Sequence, residues 1–396
     1  MKKVLIIGAG FLQSFVIRRA KELGYETYAV DGDTNAVGFC HADKHEVIDI
    51  VDEEACLAYA RKENIDGVLT AATDYGVLTA AYIAKKMHLP GLDYEVAKLV
   101  KNKYKVRKCL FEAKVDDTEQ AYEVDESTDI SALCEKLSFP VMVKPCDGSG
   151  SRGASRVDRK EDFAGACRYA VEGSITKRAE VETFIVGEEY GVESFVENGH
   201  VHILAVMKKT MTKPPYYAEL GHAYPCGLPA TAEEKIKGCV KKALSALGVN
   251  FGSVNMDLLV TAKGNVHIVD IGARMGGNLI GSHIVPLAAG VDYMGNMIKA
   301  AVGDETDFKS PFQKAVATRL LALKPGTVSE LPDFEKIRND YGVIIEHHLH
   351  IGDEITKYRT NLDGCGYVVA CGDERNSCEE KAETVRELID NLIKRV

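Results

Sequence analysis

The segment 252–278, GSVNMDLLVTAKGNVHIVDIGARMGGN, restricts the fold more than any other part of the chain. Two apolar runs flank Ala262-Lys263-Gly264-Asn265, and Lys263-Gly264 fits a two-residue hairpin loop. In that register Asp257 faces Asp270, and Asn255 faces Gly272. Facing β-carbons stand roughly 4.5–5.5 Å apart, and two carboxylates so placed repel unless a cation lies between them. Oxygen donors beside a phosphate suit magnesium, or manganese in its place, since magnesium takes few protein ligands and keeps its substrate's oxygens. Arg274 follows the second run and precedes Gly276-Gly277, where backbone N–H groups can approach an anion. An arginine beside such donors can hold a carboxylate and stabilise a developing oxyanion.

The formal charge of −10 argues against the basic stripe of a nucleic-acid binder, so a phosphate-bearing ligand needs local positive charge. Lys144 and Arg152, close to glycines, are the first candidates. Lys144 ends a strand in VMVKPCDGSGSRGAS, and the loop 148–153 offers the N–H groups of Gly148 and Gly150 with the hydroxyls of Ser149 and Ser151. In VETFIVGEEYGVE, Glu182 and Glu189 bracket a strand at an interdomain hinge, where an acid can accept hydrogen bonds from an adenine amine or ribose hydroxyls.

At 396 residues the chain exceeds one ordinary domain. Residues 1–95 alternate strands with helices and read as a parallel, doubly wound α/β sheet. HLPGLDYE supplies a Pro-Gly break, and one basic helix is expected over 96–113. A smaller unit of strands to residue 185 and a larger one over 186–312 follow, with a turn at Asn198-Gly199 and a helix over 283–302. A last α+β unit covers 313–396.

Eleven cysteines, an odd number without a CxxC, read as reduced packing residues of a cytoplasmic protein. The apolar run near Met1 is too brief for a signal peptide, and no stretch approaches ~18 apolar residues, so no membrane partner is expected.

Two motifs are set aside. GAGFLQ has Gln13 where a dinucleotide fingerprint needs its third glycine, although Asp31 ends the second strand; Gly8 and Gly10 read as a tight strand-to-helix turn. EHHLHIGDE places His348 and His350 on one strand face beside Glu346, a pattern more typical of a partly exposed strand than of a metal site. A GxxxxGK[ST] phosphate loop is absent from the sequence.

Taken in order, these elements resemble the ATP-grasp superfamily, over most of the chain. The resemblance implies a pre-grasp domain over 1–95, a small grasp lobe with its linker helix over 96–185, a large lobe with the metal site over 186–312 and a closing domain over 313–396. It implies ATP and magnesium as ligands, with Lys103 of NKYKVR and Lys144 on the phosphates and the main chain at Thr183 and Ile185 reading adenine. Asp257 and Asp270 fall where the family's metal acids stand. The usual Glu-x-Asn-x-Arg is here Asp270-Ile-Gly272-Ala-Arg274, so one or two ions is open, and Asn255 is a candidate to replace the lost amide.

KKTMTKPPYYAELGHAYPCGLP most resembles the L-amino acid ligases and related carboxylate–amine ligases. By that resemblance Glu219 and His222, three apart in a loop, define the substrate pocket: Glu219 for a substrate ammonium, His222 for the acyl phosphate or a proton. Arg274 and Gly277 complete the catalytic set. Arg319, Asn278, Tyr216, Tyr217, Cys226, Thr73 and Asp74 are expected near the pocket, and relatives suggest a homodimer. The implied partners are a small carboxylate and an amine, joined through an acyl phosphate with release of ADP and phosphate. Carboxylation with bicarbonate, or a catalytically silent ATP-binding regulator, are the alternatives.

Overall fold

The computed structural model describes every residue except 117–120, 149, 151, 215 and 216. Ser149, Ser151 and Tyr216, expected at the site, lie outside the described residues. Among those described, the first unit is a parallel sheet in the order Lys44–Val47, Glu26–Asp31, Lys3–Ile7, Gly67–Thr70. Its strands other than Lys44–Val47 are buried, largely apolar runs because helices Phe11–Glu22, Glu53–Glu63 and Val77–Met87 cover the sheet.

The basic helix expected over 96–113 is two helices, Tyr94–Val100 and Lys103–Glu112. Asn102 separates them: its side chain accepts from Lys105 N–H at 2.9 Å. Lys103 N–H donates to the Cys146 carbonyl at 2.8 Å, so the second helix starts afresh against the small lobe. That lobe is an antiparallel sheet in the order Tyr122–Val124, Ala179–Thr183, Val141–Pro145, Ser155–Val157, covered by helix Lys160–Gly173.

Eight of the remaining strands make one antiparallel sheet, and Glu354–Ile355, Gly326–Glu330 and Lys394–Arg395 make a small three-stranded one. The order in the large sheet is Val266–Gly272, Gly252–Val260, Glu188–Glu197, His200–Met211, Glu219–Tyr224, Ala315–Leu320, Gly366–Gly372, Ile344–His347. The expected two-residue turn is present, with Asn198 and Gly199 at φ 50° and 73°. The segments 186–312 and 313–396 share this sheet, because Ala223 and Tyr224 pair with Ala317 and Val316. The helix expected over 283–302 is interrupted: a π-type turn Ile280–Ile284 and helix Val285–Ala289 precede helix Tyr293–Ala301. Gly290 at φ 69° ends one piece and the Asp292 side chain caps the next.

The first unit is docked firmly on the large sheet's helices. Arg19 grips Asp292 with two nitrogens at 2.7 and 3.1 Å, and Lys2 meets Asp304 at 2.7 Å. Val16 and Ile17 share one core with Ile298 and Phe195, and Ala71 bridges to Met275. No helix among the described residues is long and apolar enough to cross a membrane.

Candidate active site

Asp257 and Asp270 are Cα partners, as are Asn255 and Gly272. The register arises differently from the expected two-residue turn. Thr261 N–H donates to the Asn265 carbonyl and Gly264, at φ 77°, to the Thr261 carbonyl, so the turn holds three residues. That displaces pairing by one residue over Leu258–Val260, and a bulge at Val269 restores it before the acids. The bulged residue is used: Lys144 Nζ donates to the Val269 carbonyl at 3.0 Å.

The acids open into a cleft of about 910 Å³ between the small lobe, the large sheet and the end of the parallel sheet. Thr183, Ile185, Glu189, Gly148 and Gly150 all line it. Lys103 Nζ bonds the Asp270 carboxylate. Burial would raise the Asp270 carboxyl, but Lys103 and Lys144 bring it down to about 2. Glu182, expected to serve a nucleotide, lines the cleft but is engaged with two cations: Lys144 at 2.6 Å and Arg107 at 3.0 Å. Burial opposes its ionisation, yet those cations hold it below the usual carboxylate range. Arg107, absent from the sequence reading, also donates to the Ile268 carbonyl at 2.6 Å and so joins linker helix, small lobe and large sheet.

Glu219 and His222 lie on a strand, not in a loop. Three apart on a regular strand they would point to opposite faces. Met211 pairs with Glu219 and Thr210 with Gly221, so Leu220 is bulged and the two side chains share a face. Glu219 Oε1 is 2.7 Å from His222 Nε2; Oε2 accepts from Asn278 at 2.8 Å and Asn361 at 2.9 Å. Burial would raise its carboxyl, but Lys209 and His222 hold it well below the usual range. The carboxylate expected to take a substrate ammonium is thus already fully engaged. His222 is 1% exposed behind Glu219 and is not among the residues lining the cleft. The closing unit reaches Glu219 as well, through Asn361 Oδ1 accepting from Glu219 N–H at 2.9 Å and Tyr358 bonding its carbonyl.

Lys209 was also missed. Its Nζ lies 2.8 Å from Asp257 and 3.6 Å from both Glu189 and Glu219. Its signal is strand alternation: after buried Val206 and Met207, Lys208 points out and Lys209 points in. Glu193 had a plainer signal, an acid inside the buried run Tyr190–Val196. It is fully buried and accepts from Tyr293 OH at 2.7 Å, Asn255 Nδ2 at 3.0 Å and Gly276 N–H at 3.1 Å. Burial pushes its carboxyl up to about 7 against these donors.

Gly276 N–H is therefore given to Glu193 rather than to an oxyanion, while Gly277 lines the cleft. Arg274 meets Asp74 at 3.0 Å through Nη2, and its Nε and Nη1 are buried without a hydrogen-bond partner. Gly272 makes room for this: a β-carbon there would stand 2.9 Å from Arg274 Cζ. Asn278, Thr73, Asp74 and Tyr217 line the cleft as expected neighbours. Arg319 and Cys226 do not: Arg319 is drawn to Glu379 and Glu383, both at 3.1 Å, and Cys226 is 1% exposed with its thiol on Glu233.

The hairpin face presents an all-oxygen set for a cation. Asn255 gives its amide nitrogen to Glu193, leaving its carbonyl oxygen as the other donor beside Asp257 and Asp270. A hard divalent ion that keeps phosphate and water oxygens fits such a set, since it needs only one or two protein carboxylates.

An ATP-grasp domain matches residues 137–282, and the L-amino acid ligase C-terminal domain 2 matches residues 319–391. An uncharacterized protein of Sinorhizobium fredii is 26% identical over 333 residues, 83% of this chain and 68% of that protein. The formate-dependent phosphoribosylglycinamide formyltransferase of Methanocaldococcus jannaschii is 28% identical over 270 residues, 65% of this chain and 66% of that enzyme. The chain thus spans about two thirds of the length of these curated relatives. In fold it is similar to the L-amino acid ligase from Bacillus licheniformis, with a TM-score of 0.84 at 22% identity over 100% of this chain and 98% of that one. The chain thus carries an ATP-grasp domain over residues 137–282 and an L-amino acid ligase C-terminal domain over residues 319–391.

Proposed function

We propose that the protein is an ATP-dependent carboxylate–amine ligase working through an acyl phosphate. The reading is carried by one observation: the facing Asp257 and Asp270 share a single cleft with Lys103, Lys144 and Arg274. ATP lies along the cleft, adenine at Thr183 and Ile185, phosphates at Lys103, Lys144 and the glycines Gly148 and Gly150. Asp270 and Asn255, beside the facing Asp257, are the residues that would hold magnesium, which supplies charge neutralisation at the phosphates when bound.

The first substrate's carboxylate oxygen attacks the γ-phosphorus, and the bond to the bridging oxygen breaks as ADP leaves. Lys144, released from Glu182, neutralises the transferring group; Arg107 remains to hold Glu182. The amine then attacks the acyl carbon. Arg274 Nε and Nη1, held by Asp74 with no protein acceptor of their own, receive the developing oxyanion before phosphate departs. Enclosure between the lobes keeps water from the acyl phosphate.

A phosphate-release screen crossing amino acids and other carboxylates with amines tests this. Release that requires ATP, a carboxylate and an amine together is the expected result. Release that requires bicarbonate and ignores amino acids would replace the proposal with an ATP-dependent carboxylase. ATP binding without turnover across the screen would point to a silent regulator.

A further inference from the structure

Asp257 and Asp270 face each other on one hairpin but are neutralised in unlike ways. Lys103, the partner of Asp270, opens helix Lys103–Glu112 and keeps 15% of its side chain exposed to the cleft. It has one acid to leave and open space ahead. Lys209, the partner of Asp257, is only 3% exposed on strand His200–Met211. Three carboxylates surround its ammonium: Asp257 at 2.8 Å, Glu189 at 3.6 Å and Glu219 at 3.6 Å. Drawing it away toward a phosphate would leave three half-buried or buried acids without their common cation, a costly arrangement. Lys103 is therefore the mobile charge and Lys209 the fixed one.

The opposite strand tells the same story. Gly272 offers no ligand atom where the family pattern has an asparagine, and the Arg274 guanidinium fills the space beside it. Asp270 lies on the strand farther from that of Lys209, and Asn255, whose amide nitrogen is given to Glu193, keeps its carbonyl oxygen as a second donor. A second dication at Asp257 would approach an oxygen that already holds a buried ammonium, and the two cations would repel.

We propose that Lys209 is a built-in cation at Asp257, so that the chain binds ATP with one divalent ion at Asp270 and Asn255 instead of two. The inference rests on the ATP-site reading above. Lys209 is a positioning residue for the metal-side acid, not a group that touches the reacting atoms.

Manganese, counted by the loss of its free-ion electron paramagnetic resonance signal, tests the stoichiometry with a non-hydrolysable ATP analogue present. Analogue binding is followed separately by the shift in melting temperature. One bound ion per nucleotide-loaded chain is expected for the unmodified protein and for Lys209→Arg. Lys209→Met is expected to take up a second ion. Two ions on the unmodified protein overturn the proposal, and so does a folded Lys209→Met that still binds one. Should Lys209→Met fail to fold, the unmodified protein and Lys209→Arg decide: one ion on both supports the proposal, and two on either overturns it. A protein whose melting temperature ignores the analogue refutes the ATP-site reading itself, a result distinct from a wrong ion count.

Discussion

Arg274 shows how much a single side chain can be asked to do. Buried donors without acceptors are costly to keep, and Nε and Nη1 of Arg274 are two of them at the wall of the cleft. If they serve the oxyanion, Arg274→Ala lowers kcat by about 10²–10³, the range for losing such a donor, with the KM for ATP changed only a few-fold. Gly272→Asn restores the usual family residue yet places atoms where the guanidinium lies, 2.9 Å from Cζ at the first carbon. Lower kcat with a melting temperature close to the parent's is expected, measured by phosphate release and thermal unfolding. Glu219 sets a pH dependence. Burial alone would raise its carboxyl above the ordinary 4.5, but Lys209 and His222 outweigh burial and depress it. A depressed carboxyl contributes stability that is present above its unfolded-state value and lost as pH falls through the folded one. Unfolding free energy therefore drops as pH goes below about 4.5, and Glu219→Gln flattens that acid limb in denaturant melts.

Among the elements, irregularities carry the site. The hairpin register was legible at the acids only because a three-residue turn and the Val269 bulge offset each other. Alternating hydrophobicity cannot reveal such a bulge, since its carbonyl partner, Lys144, comes from another lobe. The Leu220 bulge was equally hidden: spacing along the chain gave no sign that residues three apart on a strand would share a face. Lys209 and Glu193, by contrast, were readable as charges at inward positions of apolar strands. Gly264 sits at φ 77° with open space around it, so Gly264→Ala costs only the backbone strain, about 1 kcal/mol, without loss of activity. Asn102→Ala removes the cap that starts the Lys103 helix. It should cost about 1 kcal/mol in a denaturant melt and raise the KM for ATP as Lys103 loses its direction.

At the level of the molecule, the parallel sheet is fastened to the large sheet. Arg19 on Asp292, Lys2 on Asp304 and a shared core hold them together. The small lobe's own core is separate, and polar contacts tie it to its neighbours, among them those of Arg107, Lys144 and Arg156, the last of which bonds Tyr217 at 3.3 Å. Hydrogen exchange is expected to show this division: ATP with magnesium should slow exchange most in strands Val141–Pro145 and Ala179–Thr183, and little in the parallel sheet. Unchanged exchange in those strands would count against closure on nucleotide. The sequence made the alternation of the first 95 residues clear because parallel strands covered by helices read as apolar runs. It did not reveal that the closing unit extends the large sheet, since pairing of Tyr224 with Val316 joins segments with no local signal of each other.

That continuity decides where such a protein can be recombined. A chimaera exchanging everything after residue 313 must rebuild the ladder from Ala223 and Tyr224 to Ala317 and Val316 and mates a foreign edge to the strand that carries Glu219. A graft of Tyr358 through Leu362 alone leaves every rung of the ladder intact. It still replaces the hydroxyl and amide that clasp Glu219 and the leucine at the cleft mouth. The short exchange is thus the route to altering what the cleft admits beside Glu219 while leaving the strands of Lys144, Asp257 and Asp270 unchanged.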